Sequence, residues 1–178
     1  ITLYYTSPNG LKVPINYRLY DKREGKSKNQ YLQEMLKEVR AWGIEAIAFT
    51  SDTWYASKSN LHQVKNAQWG FLVGVAKNRQ VRLEGGKYQR IEELTIPEQG
   101  LLVYLKGVGT VKAFCQRFKD ESCRYYLLYF PNKEKLEQSD KEVFDNLRSI
   151  HWGIECFHRA SKQLCGIQRF RVRRTESI

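Results

Sequence analysis

Long apolar runs are missing from this sequence. No stretch approaches the roughly 20 residues of a membrane-spanning helix, so no membrane span is expected. An initiator Met, a signal peptide and a lipidation signal are missing too: the chain opens at Ile1 in an apolar, strand-like run and closes at Ile178 after a basic tail. That reads as a fragment or remnant of a longer protein. Cys115, Cys123, Cys156 and Cys165 form no CxxC pair and no zinc pattern. Cys156 and Cys165 fall on a helical stretch, where small buried thiols are common. A reducing compartment without a disulfide framework is expected. A phosphate cradle is absent, because Gly85-Gly86 lacks the strand-to-helix setting of a glycine-rich loop. No Ser or Cys stands in a nucleophile motif, and there is no internal repeat or low-complexity tract.

Acidic residues are in deficit. Thirty Lys and Arg face 19 Asp and Glu, a net charge of +11. Such an excess favours a polyanionic partner, most often nucleic acid; a plain solubility feature is the alternative. The cations gather late in the chain, with Arg159, Lys162, Arg169, Arg171, Arg173 and Arg174 inside sixteen residues. Binding to a membrane surface is not expected, since no segment is a basic amphipathic helix without a core role.

The 178 residues suffice for one domain with a core and a small insertion. Ile1 to Ser7 and Val13 to Tyr20 are β-rich, and Pro8-Asn9-Gly10 between them predicts a hairpin. Ser27 and Gln30 can cap a helix running to Trp42, with Leu32, Met35, Leu36, Val39 and Trp42 inward and Gly43 ending it. Ile44 to Thr50 reads as a central strand covered on both faces. Ser57 to Gln68 predicts a short helix and Trp69 to Ala76 a buried strand. From residue 78 the character changes: runs at 81–83, 87–91, 101–105, 110–118 and 124–130 predict short strands in a β-rich insertion. Residues 133–138 read as a charged link. The predicted organisation is therefore a core at 1–77, the insertion at 78–132 and the core's return at 133–178.

The chain is arranged around Ser139 to Gly166, which predicts one long helix. Ser139 and Glu142 make a capping box and Gly166 a C-terminal stop. Val143, Leu147, Ile150, Ile154, Phe157, Ser161 and Leu164 recur with the period of a stripe packed on a core. Beside them, Arg148, Glu155 and Lys162, seven apart, share one side of the helix. One carboxylate among cations at the border of a buried face suits a metal or phosphate site; a solvated charged face is the other reading.

The second acid of interest is Asp52, in Ser51-Asp52-Thr53-Trp54-Tyr55. It follows a predicted central strand, where α/β sheets commonly place ligand chemistry; an N-cap or Asx turn is the alternative. Asp52 and Glu155 together could hold a hard divalent cation for phosphodiester hydrolysis, Mg2+ or Mn2+ rather than zinc. Arg148 and Lys162 would touch phosphates and His151 could donate to one. Trp54, Tyr55 and Trp152 could stack on unpaired bases, or belong to the core.

The stretch His151-Trp152-Gly153-Ile154-Glu155, followed by Phe157, Lys162 and Leu164, resembles the C-terminal signature of DDE transposases of bacterial insertion sequences. The branch is the cut-and-paste type with a β-rich insertion in an RNase H-like core. Its signature runs Tyr, two residues, Arg, three residues, Glu, six residues, Lys. Glu155 and Lys162 match it, whereas Arg148 stands at the Tyr position and His151 at the Arg position. The block around Asp52 resembles the one carrying the family's second catalytic Asp. The resemblance implies an α/β fold: an RNase H-like mixed sheet flanked by helices, lacking its first strand and the acid on it, with a β-rich insertion before the last long helix. It implies Asp52 and Glu155 as catalytic metal ligands for two Mg2+ or Mn2+ ions. DNA contacts at Arg148, His151, Arg159, Lys162 and Trp54 follow from it, and so do double-stranded DNA as substrate, a homodimer in the intact protein and a bacterial cytoplasmic location. Water, then a DNA 3′-hydroxyl, would attack phosphodiesters at the element ends. A non-catalytic DNA-binding remnant with an incomplete metal site is the second reading. A basic structural or adaptor domain, the third, expects Asp52 and Glu155 far apart.

Overall fold

The structure, a computed structural model, describes residues 1–164. Cys165, Gly166 and the basic tail from Arg169 to Arg174 lie outside the described residues. The predicted hairpin is formed by β1 (Thr2–Thr6) and β2 (Lys12–Tyr17). Its turn uses Gly10 at φ +87°, a conformation that glycine enters without steric cost. α1 (Lys28–Ala41) starts at the predicted capping box of Ser27 and Gln30 and buries Tyr31, Leu32, Met35, Leu36 and Val39. Trp42, predicted inward, is 55% exposed. The helix ends at Ala41 and Gly43 turns the chain at φ +75°, so position 42 no longer follows the helical period.

β3 (Ala48–Ser51) is shorter than the predicted strand and is not central. It forms one edge of a seven-stranded sheet with the order β3-β4-β9-β8-β7-β5-β6. α2 (Lys58–Asn66) leads from it to β4 (Gly70–Val75), which is parallel to β3 and buried along its whole length. The remaining strands are β5 (Gln80–Arg82), β6 (Gln89–Arg90), β7 (Leu101–Leu105), β8 (Gly109–Arg117) and β9 (Cys123–Tyr129). All five strands predicted after residue 78 are present. They continue the sheet antiparallel, and β9 hydrogen-bonds directly to β4.

The predicted charged link is a helix, α3 (Lys133–Gln138), capped by Asn132, which accepts from the Lys135 N–H at 2.9 Å. The long helix follows as α4 (Lys141–Gln163). Its cap is Asp140, accepting from the Val143 N–H at 3.1 Å, and not Ser139. Ser139 is buried at the end of α3, where its hydroxyl donates to the Lys135 carbonyl at 2.6 Å. The buried Lys112 on β8 donates through its ammonium to the Glu137 and Ser139 carbonyls at 2.8 and 2.5 Å and pins this corner.

Alternation along the strands sorts the core into two layers. Phe71, Val73, Val111 and Ala113 join Leu36, Val39, Leu61 and Val64 of α1 and α2 on one face. Leu72, Phe114 and Leu128 join Leu136 of α3 and Phe144 of α4 on the other. Phe144, absent from the predicted stripe, is the residue α4 buries; its ring stacks on Phe114 at 4.8 Å and meets Tyr126 at 5.2 Å. Of the predicted stripe, Val143 and Leu147 pack against this second cluster and, with Ile150 and Ile154, also line a groove beside β3, whereas Leu164 is 84% exposed. Cys156, predicted buried, is also exposed.

Candidate active site

The groove, of about 610 Å³, lies between β1 and β3 with α1 on one side and α4 on the other. Asp52 comes to it from the end of β3. The side chain caps the turn Thr53–Tyr55, accepting from the Trp54 N–H at 3.0 Å. The Asx role weighed for it is thus present, together with its place on the groove. Two glycines of β4 set this strand end. A Cβ on Gly70 would lie 2.6 Å from a Phe130 ring carbon, 2.8 Å from the Tyr129 carbonyl oxygen and 2.9 Å from that of Ile47. A Cβ on Gly74 would come within 3.2 Å of the Thr53 hydroxyl, next to Asp52.

α4 supplies the opposite wall. His151 Nδ1 lies 3.2 Å from the Thr50 hydroxyl, a link between helix and strand end. Burial pushes the His151 imidazole below its ordinary pKa, and the charges of Glu155 and Asp52 oppose that shift. The same imidazole therefore feels both carboxylates. Glu155 is exposed, one turn beyond His151, and also lines the groove. His158 is there too: desolvation lowers its pKa, Glu155 raises it, and Lys162 and the Ile1 ammonium lower it. His158 was not singled out in the sequence; its signal is the spacing His151, Glu155, His158, which falls on one helical face.

The side chains of the other candidates do not line the groove. Arg148 pairs with Asp145 at 3.4 Å and its guanidinium lies over Phe144 at 5.8 Å, with Nε buried and unpartnered; it does not line the groove. Trp54 is 65% exposed, with the Lys28 ammonium 5.5 Å from its ring centre. Trp152 is also exposed, beneath Arg159 at 5.4 Å. These are two cation–aromatic pairs on the surface. Lys162 is exposed in the last turn of α4.

As a metal site the donor set fits in kind and falls short in number. Carboxylate oxygens are the hard ligands that Mg2+ and Mn2+ prefer. Among the described residues, however, no three His, Cys, Asp or Glu side chains come together closely enough to hold an ion.

A family model described as a transposase DDE domain matches residues 8–178. The chain belongs to that family. No curated protein matches it. The family assignment meets the resemblance read from the Glu155 helix and the Asp52 block, that of a DDE transposase of an insertion sequence. The mixed sheet flanked by helices agrees with the RNase H-like fold implied there. Its role is in DNA transposition, with DNA as partner, and the family generally uses divalent metal ions. No helix among the described residues is long and apolar enough to cross a membrane.

Proposed function

We propose that this chain carries part of a transposase catalytic centre, in which Asp52 and Glu155 serve metal-dependent phosphodiester hydrolysis and strand transfer at insertion-sequence ends. The observation that supports it is the convergence of the two carboxylates on one groove, within electrostatic reach of a single imidazole. Asp52 and Glu155 would hold Mg2+ or Mn2+. When bound, such ions supply an activated hydroxide and neutralise charge on the leaving oxygen. The chain's own residues orient the site: His151 ties α4 to Thr50, and the Trp54 N–H holds the Asp52 carboxylate. The cations Arg148, Arg159 and Lys162, with His151, would take the phosphate backbone of double-stranded DNA, and Trp54 would stack on an unpaired base. A homodimer acting in a bacterial cytoplasm, and the division into 1–77, 78–132 and 133–178, belong to the same proposal.

The second reading, a DNA-binding remnant without catalysis, draws on the shortfall of ligands among the described residues. Mn2+ titration and DNA-binding isotherms separate the two. The catalytic reading expects Mn2+ binding that Asp52→Ala or Glu155→Gln removes, with DNA affinity kept. The remnant expects salt-steep DNA binding and no Mn2+ site. Binding of Mn2+ that is equal in wild type and both variants would take the pair out of the metal role. DNA affinity flat with salt would count against both readings, because phosphate contacts release counterions.

A further inference from the structure

Cys115 and Cys123 do not line the groove, yet they meet on the sheet. β8 and β9 form a hairpin whose register sets Cys115 opposite Tyr125 and Arg117 opposite Cys123. The Phe118 N–H donates to the Ser122 carbonyl at 2.9 Å, so these two residues begin the ladder as a hydrogen-bonded pair. Hydrogen-bonded and non-hydrogen-bonded pairs alternate along an antiparallel ladder, and side chains approach more closely in the latter. Both cysteines therefore fall in the closer kind of pair. Positions 115, 117, 123 and 125 share one face of the sheet, and Cys115 and Cys123 are diagonal neighbours on it.

The contacts follow from that placement. The Cys115 thiol is within hydrogen-bonding reach of the Cys123 thiol and of the Arg117 guanidinium. The Tyr125 hydroxyl is within the same reach of Cys123. The Cys123 thiol also donates to the Glu121 carbonyl at 3.8 Å. Both cysteines are half-buried and neither is bonded in a disulfide. A disulfide suits them poorly. It needs Cα atoms about 4.4–6.8 Å apart, whereas diagonal neighbours in a sheet stand about 7–8 Å apart. An atom set between the sulfurs spans the difference: with metal–sulfur bonds of about 2.3 Å, a linear S–metal–S unit holds its sulfurs roughly 4.6 Å apart. Among the described residues no third His, Cys, Asp or Glu joins the pair, so the four ligands of a tetrahedral zinc site are not there. Two soft thiolates select Cu(I) instead.

We propose that Cys115 and Cys123 clamp one soft monovalent cation, Cu(I), between two thiolates. Each thiol gives its proton to solvent as its sulfur binds the ion. One Cu(I) thus replaces two protons, the bis-thiolate unit carries one negative charge, and the copper keeps its oxidation state. Arg117 beside Cys115 offsets that charge, and the Tyr125 hydroxyl is placed to donate to the Cys123 sulfur. Cys115 and Tyr125 also pack against the core beneath, which keeps water from that side of the ion. The clamp stands whether or not Asp52 and Glu155 bind metal, since it shares no ligand with them.

Anaerobic titration of the reduced chain with Cu(I), in competition with bathocuproine disulfonate, tests it. X-ray absorption at the copper edge reads the ligands. The chain should retain one Cu(I) held by two sulfurs. Cys115→Ser or Cys123→Ser should abolish retention, and Arg117→Gln should weaken it about tenfold, as loss of a supporting contact does. A double variant, Cys156→Ser with Cys165→Ser, should bind as wild type does. NMR of the wild-type chain gives a reading that needs no variant: Cu(I) should shift the amides of Cys115, Arg117, Cys123 and Tyr125 first. No retention, retention that survives either single cysteine substitution, its loss in the double variant, or shifts confined to other amides would each overturn the clamp. So would air oxidation that joins Cys115 to Cys123 in a disulfide without change in the surrounding strand amides, because it would show the sulfurs too close for an ion between them.

Discussion

Gly70 has no room for a methyl group, since backbone oxygens crowd it from two strands. Gly70→Ala must push β3 or β9 outward, at a cost of about 1–3 kcal/mol, read from the denaturant midpoint. His151 makes a second prediction at this scale. Its imidazole binds a proton less readily in the folded chain than in the unfolded one, chiefly through burial. The unfolded state therefore takes up more protons as pH falls. The stability this neutral ring contributes is complete above the ordinary His value of about 6.5 and is lost as pH drops through and below it. Glu155 and Asp52 oppose the shift, and His158, also depressed by burial, acts in the same direction as His151. His151→Gln should lose less stability between pH 7.5 and 5.5 than wild type, in urea melts at both values. Asp52 and Glu155 were legible as an acid after a strand and an acid on an amphipathic helix. The bond from His151 to Thr50 was not, because its partners stand 101 residues apart in sequence.

Among the elements, the corner between α3 and α4 depends on one side chain of β8. Lys112→Met keeps the aliphatic stem and removes the donors to two carbonyls. We expect a loss of about 1.5–3 kcal/mol by chemical denaturation. Phe144 holds α4 to the sheet through Phe114 and Tyr126, and Phe144→Ala should cost about 3–5 kcal/mol in the same measurement. The helix containing Phe144 was evident from its period, but its buried side was not. The stripe of Val143, Leu147, Ile150 and Ile154 is as apolar as a core face, yet only Val143 and Leu147 reach the core cluster, half-buried, and all four line the groove. Ser139 shows a similar limit: its spacing to Glu142 carries a capping signature, yet its hydroxyl is already committed to α3. A six-residue helix such as α3 is too short to imprint a period on the sequence.

On the scale of the whole fold, the hairpin and the seven-stranded sheet share no backbone hydrogen bonds among the described residues. The hairpin is moored by helices: Glu38 of α1 accepts from Arg18 at 2.5 and 2.6 Å and from Asn16 at 2.8 Å, and Phe157 of α4 meets Tyr4. Glu38→Ala should speed amide exchange through β1 and β2 while leaving β4, β8 and β9 unchanged. Uniform acceleration would mean that the two units open together. The strand series after residue 78 was readable from its turns and short apolar runs. That β3 lies at an edge was not, because side-chain burial reports what covers a strand's faces and says nothing of its in-plane neighbours.

The fit at Gly70 also fixes the phase of β3. Sliding β3 by one residue would turn each of its side chains to the opposite face and carry the chain end at Asp52 with it. Only one alignment sets a residue without a side chain between Ile47 and Phe130, so a missing methyl group in β4 decides which way the acid at the far end of the neighbouring strand will look.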